Sequence, residues 1–295
     1  MIVSASYKTD IPAFYGRWFR NRLDAGFADV VNPWGGTPFR VDLRREAVDG
    51  FVFWTRNAAP FLEELDRLSA MAWPFVVQVT MTGYPRALER SVIPTEAAIA
   101  QIRALSRRFG RRSVVWRYDP ILITDLTETE FHRAQFAELA RALSGSLDEV
   151  TLSFTNIYRK TGANLERLRR EQGIAWRDPE DPEKRALLAE LGLLAREAGI
   201  TPTLCAQPDL LADPLVAAAC IDARRLSDVA GYEIAAVTKG NRPGCLCAQS
   251  RDIGAYDSCP HGCVYCYAVG RPDTAKRKHR AHDPDGGFLM ARSLA

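Results

Sequence analysis

Three cysteines near the C-terminal end of the sequence are spaced closely enough to share one metal centre. Cys259, Cys263 and Cys266 occur in the stretch CPHGCVYCY, a C-x3-C-x2-C spacing. Three thiolates on one tight loop can hold three irons of a 4Fe–4S cluster and leave the fourth iron without a protein ligand. A site closed by four cysteines has no such open position. The spacing therefore favours a cluster that can bind a small molecule.

The residues between these cysteines also bear on the site. Gly262 gives the loop the freedom to adopt positive φ while it wraps a cluster. Tyr265, immediately before the last cysteine, could shield the cluster or contact the adenine of a cofactor. Two alternatives remain open. A zinc ion could use the three cysteines with His261 or another cysteine as its fourth ligand, and the loop could be purely structural.

Four further cysteines, Cys205, Cys220, Cys245 and Cys247, complete the seven in the chain. Four thiolates suit a fully ligated auxiliary 4Fe–4S cluster, which is the interpretation that we favour, or a closed zinc site. The pair Cys245 and Cys247 is typical of metal sites, because like-facing thiolates can bind neighbouring metal positions. Alternatively, Cys205 and Cys220 are small buried hydrophobic residues, as free cysteines often are, and there is no second site.

The composition is that of an ordinary globular protein. The 295 residues are 47% hydrophobic and 25% charged, and the net charge of +3 does not by itself indicate a nucleic-acid partner. No run of about 18 apolar residues predicts a transmembrane helix, and the first residues, MIVSASYKTDIP, lack the pattern of a secretory signal. We therefore expect a cytoplasmic protein, in which thiols stay reduced and metal binding is the first hypothesis for the cysteines.

Short apolar runs alternate with amphipathic ones along the chain. The predicted strands are Ile2–Ser6, Phe51–Thr55, Phe75–Thr80, Ser113–Arg117, Glu149–Thr155 and Thr201–Cys205. The predicted helices are Ile11–Ala25, Pro60–Ala70, Thr95–Phe109, Thr127–Ser144 and Asp181–Ala198. Six strands alternating with helices imply parallel βα units with right-handed crossovers. We predict an α/β fold, a partial TIM-like (βα)6 barrel, with a doubly wound sheet as the alternative.

The chain divides into three predicted segments. Residues 1–210 would form the βα barrel, and residues 211–268 a cysteine-rich iron–sulfur extension packed on the barrel mouth. Residues 269–295 would form a basic, loosely packed tail, because the run RPDTAKRKHRAHDPDGG loses apolar periodicity and gains charge. His279 and His282 in that tail are expected to be solvated.

The loop CPHGCVYCYA resembles the cluster-binding loop of the radical S-adenosylmethionine superfamily, whose signature is C-x3-C-x2-C with an aromatic residue before the third cysteine. The resemblance implies a cluster whose unique iron binds the amino and carboxylate groups of S-adenosylmethionine. Electron transfer from that cluster would break a carbon–sulfur bond and give methionine and a 5′-deoxyadenosyl radical. In most of the superfamily the motif follows the first barrel strand, whereas here it follows all six predicted strands.

Nearly all of residues 1–268 resembles a bacterial family of unknown function within or beside that superfamily. The segments that carry the resemblance are SASYKTDIPAFY, FVFWTRN, TGY, WRYDPI, NRPGC and DIGAYDSCPHGCVYCYA. The resemblance supports a rearranged motif position, in which the C-terminal loop folds back over the barrel mouth.

Polar residues follow the predicted strands, at the edge where parallel barrels place their active sites. We single out Arg117 and Asp119 as cofactor-binding candidates, together with Tyr265. A guanidinium can hold a methionyl carboxylate with two hydrogen bonds, and a carboxylate can accept from an ammonium group or ribose hydroxyls. An internal Arg117–Asp119 ion pair is an equally good interpretation. For Asp10, a helix N-cap is favoured, because Ile11 and a proline follow.

These observations together predict a radical S-adenosylmethionine enzyme with one 4Fe–4S cluster in the three-cysteine loop and a second favoured at the other four cysteines, acting on an unknown substrate. An electron donor such as a flavodoxin or ferredoxin is the expected partner, and no membrane is involved. Transfer of an aminocarboxypropyl group is an alternative cut of the same cofactor. The rival from another class is a non-enzymatic zinc or iron–sulfur module that binds nucleic acid through its basic tail. A fainter likeness to the loop of spore photoproduct lyases makes a DNA-lesion substrate conceivable. The basic tail residues are Lys276, Arg277, Lys278 and Arg280.

Overall fold

The computed structural model describes residues 1–32 and 35–290, and its main feature is a parallel sheet of eight strands. The strands are β1 (Ile2–Ala5), β2 (Phe27–Val31), β3 (Pro38–Asp42), β4 (Gly50–Thr55), β5 (Phe75–Thr80), β6 (Val114–Ile121), β7 (Ile123–Thr124), β8 (Glu149–Phe154), β9 (Trp176–Arg177), β10 (Thr201–Leu204), β11 (Val216–Ala217) and β12 (Ser250–Asp252). The order across the sheet is β11–β10–β8–β6–β5–β4–β1–β12, with every neighbouring pair parallel. β2 with β3, and β7 with β9, form separate antiparallel pairs.

Helices connect most of the strands of the large sheet. The α-helices are α1 (Ile11–Phe14), α2 (Gly16–Ala25), α3 (Leu62–Ala70), α4 (Thr95–Phe109), α5 (Thr129–Leu143), α6 (Arg159–Gln172), α7 (Asp181–Glu197), α8 (Ala223–Ala230) and α9 (Pro272–Arg280). Single 3-10 turns cover Ala59–Phe61, Arg111–Ser113 and Pro208–Leu210. None of the helices in the described part of the chain combines the length and the apolar character needed to cross a lipid bilayer.

Both faces of the sheet are buried, because its central strands are nearly continuous apolar runs. On the first face, Phe53 and Trp116 belong to a core that includes the apolar residues of α3, α4, α5 and α7. On the second face, Val52 and Val115 pack with Leu226 of α8 and with the cysteine-rich segment. The segment after β10 therefore covers the face that the longer helices leave free.

The second face changes from apolar to polar towards the carboxyl ends of the strands. Ser4 of β1, Gln78 of β5 and Arg117 of β6 are all buried there. The Nε2 group of Gln78 donates to the carbonyl oxygen of Cys220 at 3.0 Å, so the cysteine-rich segment lies directly on these polar residues. Polar groups at this end of a parallel sheet are in the position where ligand sites form.

β12 joins the end of the cysteine-rich segment to the beginning of the chain. It pairs in parallel with β1, and its last residue, Asp252, accepts hydrogen bonds from Ser4 Oγ at 2.6 Å and Ser6 Oγ at 2.9 Å. The Nζ atom of Lys8 lies 3.3 Å from the same carboxylate. Because Lys8 and Asp252 are both buried, this pair fixes where the chain after β12 begins.

The α/β class and the six predicted strands are confirmed, each strand within a few residues of its expected bounds. The helix predicted at Ile11–Ala25 is instead two helices, α1 and α2, because Tyr15 between them has φ −132° and ψ 26°, outside the helical region. β11 and β12 extend the sheet beyond the six predicted strands. They are two and three residues long, too short to show a periodic pattern in the sequence.

The predicted loose tail at 269–295 is corrected by the structure over residues 272–290. This segment forms α9 and packs against α1 and α2, and the rings of His279 and His282 lie 5.2 and 4.8 Å from the ring of Tyr15. The indole Nε1 of Trp18 donates to the carbonyl oxygen of Gly286 at 3.0 Å. The prediction was wrong because it depended on the lack of apolar periodicity, whereas aromatic contacts and hydrogen bonds to backbone carbonyls hold this segment. Residues 291–295 lie outside the described residues.

Candidate functional site

The three-cysteine loop, residues 259–266, lies against the carboxyl ends of β1 and β4. Nε2 of His261 is 2.8 Å from Oδ2 of Asp10, and the same oxygen accepts from the backbone N–H of Arg56 at 2.8 Å. Oδ1 of Asp10 accepts from the N–H of Ala13 at 2.9 Å, which confirms the predicted N-cap of α1. Asp10 therefore connects the segments that follow β1 and β4 with the three-cysteine loop.

Both ring nitrogens of His261 contact oxygen atoms of the protein. Besides Asp10, its Nδ1 lies 3.2 Å from the carbonyl oxygen of Ser91, and the N–H of Ser91 donates to the carbonyl oxygen of His261 at 2.9 Å. The hydroxyl of Tyr15 donates to the carbonyl oxygen of Ser258 at 2.6 Å. These contacts position the loop, and they occupy the ring that the zinc alternative would use as a fourth ligand.

The three thiols of the loop are half-buried and near enough to affect one another's charge. Burial raises the pKa of Cys263 to about 12, and it also raises the pKa values of Cys259 and Cys266. At neutral pH the metal-free loop therefore carries neutral thiols. Thiolates at these positions need compensating positive charge, which bound metal ions supply.

A buried polar network holds the far side of the loop. Nη1 of Arg56 donates to Oε1 of Glu89 at 2.8 Å, and the hydroxyl of Tyr265 contacts both residues. Thr82 Oγ1 also donates to Glu89 at 2.7 Å. The backbone of Glu89 pairs with that of Cys263 in a short antiparallel bridge. Tyr265 is thus a member of this network, and its predicted contact with a cofactor remains a prediction.

Sequence reasoning did not single out Arg56 or Glu89. Arg56 directly follows a predicted strand, and that position was a signal that could have identified it. Glu89 lies in the loop between β5 and α4, where no pattern in the sequence marks it.

Helix α6 supports the chain immediately after the loop. Nζ of Lys160 lies 2.8 Å from Oδ2 of Asp257, and Nδ2 of Asn164 donates to the carbonyl oxygen of Val269 at 2.9 Å. This helix was not predicted, because charged residues and a glycine dominate its sequence, RKTGANLERLRREQ. The buried Leu165 and Leu168, at helical spacing, are the signal that could have revealed it.

The four-cysteine group, Cys205, Cys220, Cys245 and Cys247, gathers residues from three separate parts of the chain. Cys205 follows β10 and Cys220 follows β11, and their Sγ atoms are 3.3 Å apart. The thiol of Cys247 interacts with the thiols of Cys220 and Cys245. The fold thus brings together the four cysteines that the sequence grouped by count.

Contacts among these thiols separate their pKa values. The hydrogen bond with Cys247 lowers the pKa of Cys245 to about 6. The hydrogen bond with Cys220 acts to lower the pKa of Cys247, but the contact with Cys245 and burial raise it to about 11. The contact with Cys205 likewise acts to lower the pKa of Cys220, and Cys247 and burial raise it to about 11. Cys245 is therefore the thiolate of the group at neutral pH in the absence of metal.

Arg117 and Asp119 form the internal ion pair that was one of their two interpretations. Nε of Arg117 donates to Oδ1 of Asp119 at 2.9 Å, and Ser153 Oγ donates to Oδ2 of Asp119 at 3.2 Å. Nη1 of Arg117 donates to Sγ of Cys220 at 2.9 Å. Arg117 therefore faces the four-cysteine group, and cofactor binding by this pair remains a prediction.

The two cysteine groups lie at the same edge of the sheet. Asp119 acts electrostatically on Arg56, beside the loop, and on Cys205 of the four-cysteine group. Tyr7 is within electrostatic range of Cys247, and its carbonyl oxygen accepts a hydrogen bond from the hydroxyl of Tyr267, next to Cys266. The loop that follows β1 therefore lies between the two groups.

A small pocket of about 80 Å³ borders the buried network that holds the three-cysteine loop. Arg56, Thr80, Thr82, Tyr84 and Glu89 contribute to its lining. Ligand sites for small molecules typically have volumes of roughly 300–1,000 Å³. The pocket is well below that range.

Comparison with known proteins places the chain in a family without naming an activity. Neither the curated proteins nor the solved structures contain a match to it. The sequence profile of DUF1848, described as a domain of unknown function, matches residues 2–268, a range that includes both cysteine groups. The chain therefore belongs to the DUF1848 family.

Proposed function

We propose that this protein is a radical S-adenosylmethionine enzyme in which Cys259, Cys263 and Cys266 hold a 4Fe–4S cluster. The observation that carries the proposal is the position of the three-cysteine loop at the carboxyl edge of a parallel sheet. Active sites of parallel βα proteins collect at this edge. A purely structural metal site would not need this edge.

A partial TIM-like barrel is the architecture that we propose for the sheet. From β1, the strands β4, β5, β6, β8, β10 and β11 follow one another in chain order and in one direction. In a doubly wound sheet the strands are instead added to both sides of the first strand, so the strand order changes direction there. The second face, which carries the buried polar residues, then corresponds to the barrel interior.

The three-cysteine loop fits a cluster that has one iron open. Its thiols act on each other through charge. The C-x3-C-x2-C spacing suits three sulfurs that each bind a different iron. The ring of His261 is already held by Asp10 and Ser91, which leaves the fourth position without a protein ligand.

The chain's own residues supply charge and position. Cys259, Cys263 and Cys266 would hold the cluster, which would supply the electron for reductive cleavage of S-adenosylmethionine. Arg56 favours the thiolate of Cys263, and both Arg56 and Lys160 favour the thiolate of Cys266. The pair of Glu89 and Tyr265 keeps the loop in place.

The test is anaerobic reconstitution of the full chain with iron and sulfide, followed by dithionite and S-adenosylmethionine. We expect 5′-deoxyadenosine from the wild type and none from Cys263→Ala. Leu246→Ala, which changes an exposed side chain outside the three-cysteine loop, is the control and should retain the product. A fully loaded cluster that yields no 5′-deoxyadenosine would refute the proposal, and 5′-methylthioadenosine would instead indicate aminocarboxypropyl transfer.

A further inference from the structure

The four-cysteine group is more compact than an auxiliary 4Fe–4S cluster requires. Its thiols contact one another in series, from Cys205 to Cys220, then to Cys247, then to Cys245. The one separation between sulfur atoms that is fixed directly, between Cys205 and Cys220, is 3.3 Å.

This separation distinguishes a single metal ion from a cubane. Around one tetrahedral Zn²⁺ the Zn–S distance is about 2.3 Å, so neighbouring sulfurs lie roughly 3.8 Å apart. In a cubane each cysteine binds its own iron, so the four sulfurs are spread around the outside of the cluster. The contact between Cys205 and Cys220 is close to the first arrangement, whereas a cubane would need these two sulfurs to move much further apart.

Hydrogen-bond donors surround the sulfur atoms. The backbone N–H of Ile221 donates to Sγ of Cys247 at 3.3 Å, and Nη1 of Arg117 donates to Sγ of Cys220 at 2.9 Å. Nη2 of Arg242 lies 3.6 Å from Sγ of Cys205. Four thiolates around a divalent ion carry a net charge of −2, of which Arg242 offsets one, while Arg117 is already paired with Asp119 and contributes a hydrogen bond. Donors and cations placed in this way support the ligands of thiolate metal sites.

We propose that Cys205, Cys220, Cys245 and Cys247 bind one thiophilic divalent ion, Zn²⁺, in a closed tetrahedral site. This differs from the auxiliary iron–sulfur cluster favoured by the sequence. Within residues 1–32 and 35–290, no group of three or more His, Cys, Asp or Glu side chains is already arranged to hold a metal ion. The thiols contact each other instead, so binding needs side-chain rotation and the release of thiol protons.

The ion would fasten a segment that has little other support. Residues 231–249, between α8 and β12, contain no helix or strand, and Tyr232, Val237 and Leu246 expose about half of their surface or more. A few contacts hold this segment, among them the backbone hydrogen bond from Lys239 N to Cys247 O at 2.9 Å and the buried side chain of Ile234. A structural metal contributes folding free energy where burial is insufficient.

The test measures zinc, iron and sulfide per chain in anaerobically purified full-length variants. We expect roughly one zinc ion in the wild type, in Leu246→Ala and in the loop variant Cys259→Ser/Cys263→Ser, and less than about 0.1 in Cys245→Ser/Cys247→Ser. Loss of about four irons with the last variant would overturn the proposal in favour of a cubane. Retention of zinc in that variant, or a Cys205–Cys220 disulfide without metal, would also overturn it.

A second measurement covers the case in which the double variant fails to fold. Metal-stripped wild type, titrated with Co²⁺, should develop the absorption of tetrahedral cobalt thiolate, and Cys245→Ser should shift that absorption and weaken binding. Limited proteolysis should cut within 231–249 only after stripping. An unchanged cobalt spectrum in Cys245→Ser would contradict the proposal. These readouts do not involve S-adenosylmethionine, so the site and the proposed function can fail separately.

Discussion

The two cysteine groups occupy one edge of the sheet but are assembled in different ways. All thiols of the three-cysteine loop lie within residues 259–266, and contacts to Asp10, Glu89 and Ser91 hold the loop as a unit. The four-cysteine group depends on strand ends and a distant loop that the tertiary fold brings together. The three-cysteine loop can therefore be recognised from a short sequence motif, whereas the four-cysteine group comes together only when the fold has formed.

Removing a ligand of the loop should give the largest difference between the groups. Cys263→Ala is expected to lose about four irons per chain and all detectable 5′-deoxyadenosine, because only two of the three proposed cysteine ligands remain to hold the cluster. Zinc should stay unchanged. Metal analysis and product chromatography measure both effects, and a simultaneous loss of zinc would show that the groups are not independent.

Breaking the buried ion pair behind the loop should have the next largest effect. Glu89→Gln leaves Arg56 without its carboxylate partner in a buried position, so we expect a loss of about 3 kcal/mol of unfolding free energy, roughly a hundredfold in the equilibrium constant. Urea titration of the metal-free protein measures this loss.

The matched control is the exposed pair of Arg177 and Glu183. Glu183→Gln should cost less than about 1 kcal/mol, because solvent screens that pair. Equal losses in the two variants would mean that the network behind the loop has no special role.

Alkylation of the metal-free protein should separate the groups by pH. The pKa of Cys245, lowered to about 6 by its hydrogen bond with Cys247, implies that its thiolate fraction and its rate with iodoacetamide fall about tenfold from pH 7 to pH 5. Cys263, whose pKa burial raises to about 12, should stay unmodified at both values. Peptide mass spectrometry gives the rates, with Cys245→Ser as the control. Earlier modification of the loop cysteines would contradict this order.

Asp10→Ala should destabilise the fold less than Glu89→Gln does. It removes the N-cap of α1 and the contacts with His261 and Arg56, for an expected loss of about 2 kcal/mol. Asp222→Ala removes only the N-cap of α8 and should cost about 1 kcal/mol. Thermal or urea unfolding compares them. Losses of the same size would show that Asp10 does no more than cap its helix.

The sequence predicted the parallel βα core well because its strands are apolar runs with a local pattern, as in Phe51–Thr55 and Phe75–Thr80. It could not reveal β12, whose three residues, Ser-Arg-Asp, have no β pattern and are held by contacts with Ser4 and Ser6 almost 250 residues earlier. The ordered tail could not be predicted for the same reason, because α9 is held by contacts with the distant Tyr15 and its own sequence has no apolar periodicity.

For the candidate sites, spacing identified the three-cysteine loop, and cysteine count identified the other group. Neither could give the distance between Cys205 and Cys220, because that distance depends on how β10 and β11 lie beside each other. The role of Glu89 was also out of reach, since its partners Arg56 and Tyr265 are distant in the chain.

The pairing of β12 with β1 has a consequence for biosynthesis. Ser4 and Asp252 are almost 250 residues apart, so β12 cannot dock on β1 until the chain between them has been synthesised. The preceding strands can assemble meanwhile, since chains begin to fold from their N-terminal parts during synthesis. If the three-cysteine loop holds a cluster as proposed, the cluster can enter only after the strand that positions the loop has docked, and a chain cut short before residue 250 lacks both that strand and the loop.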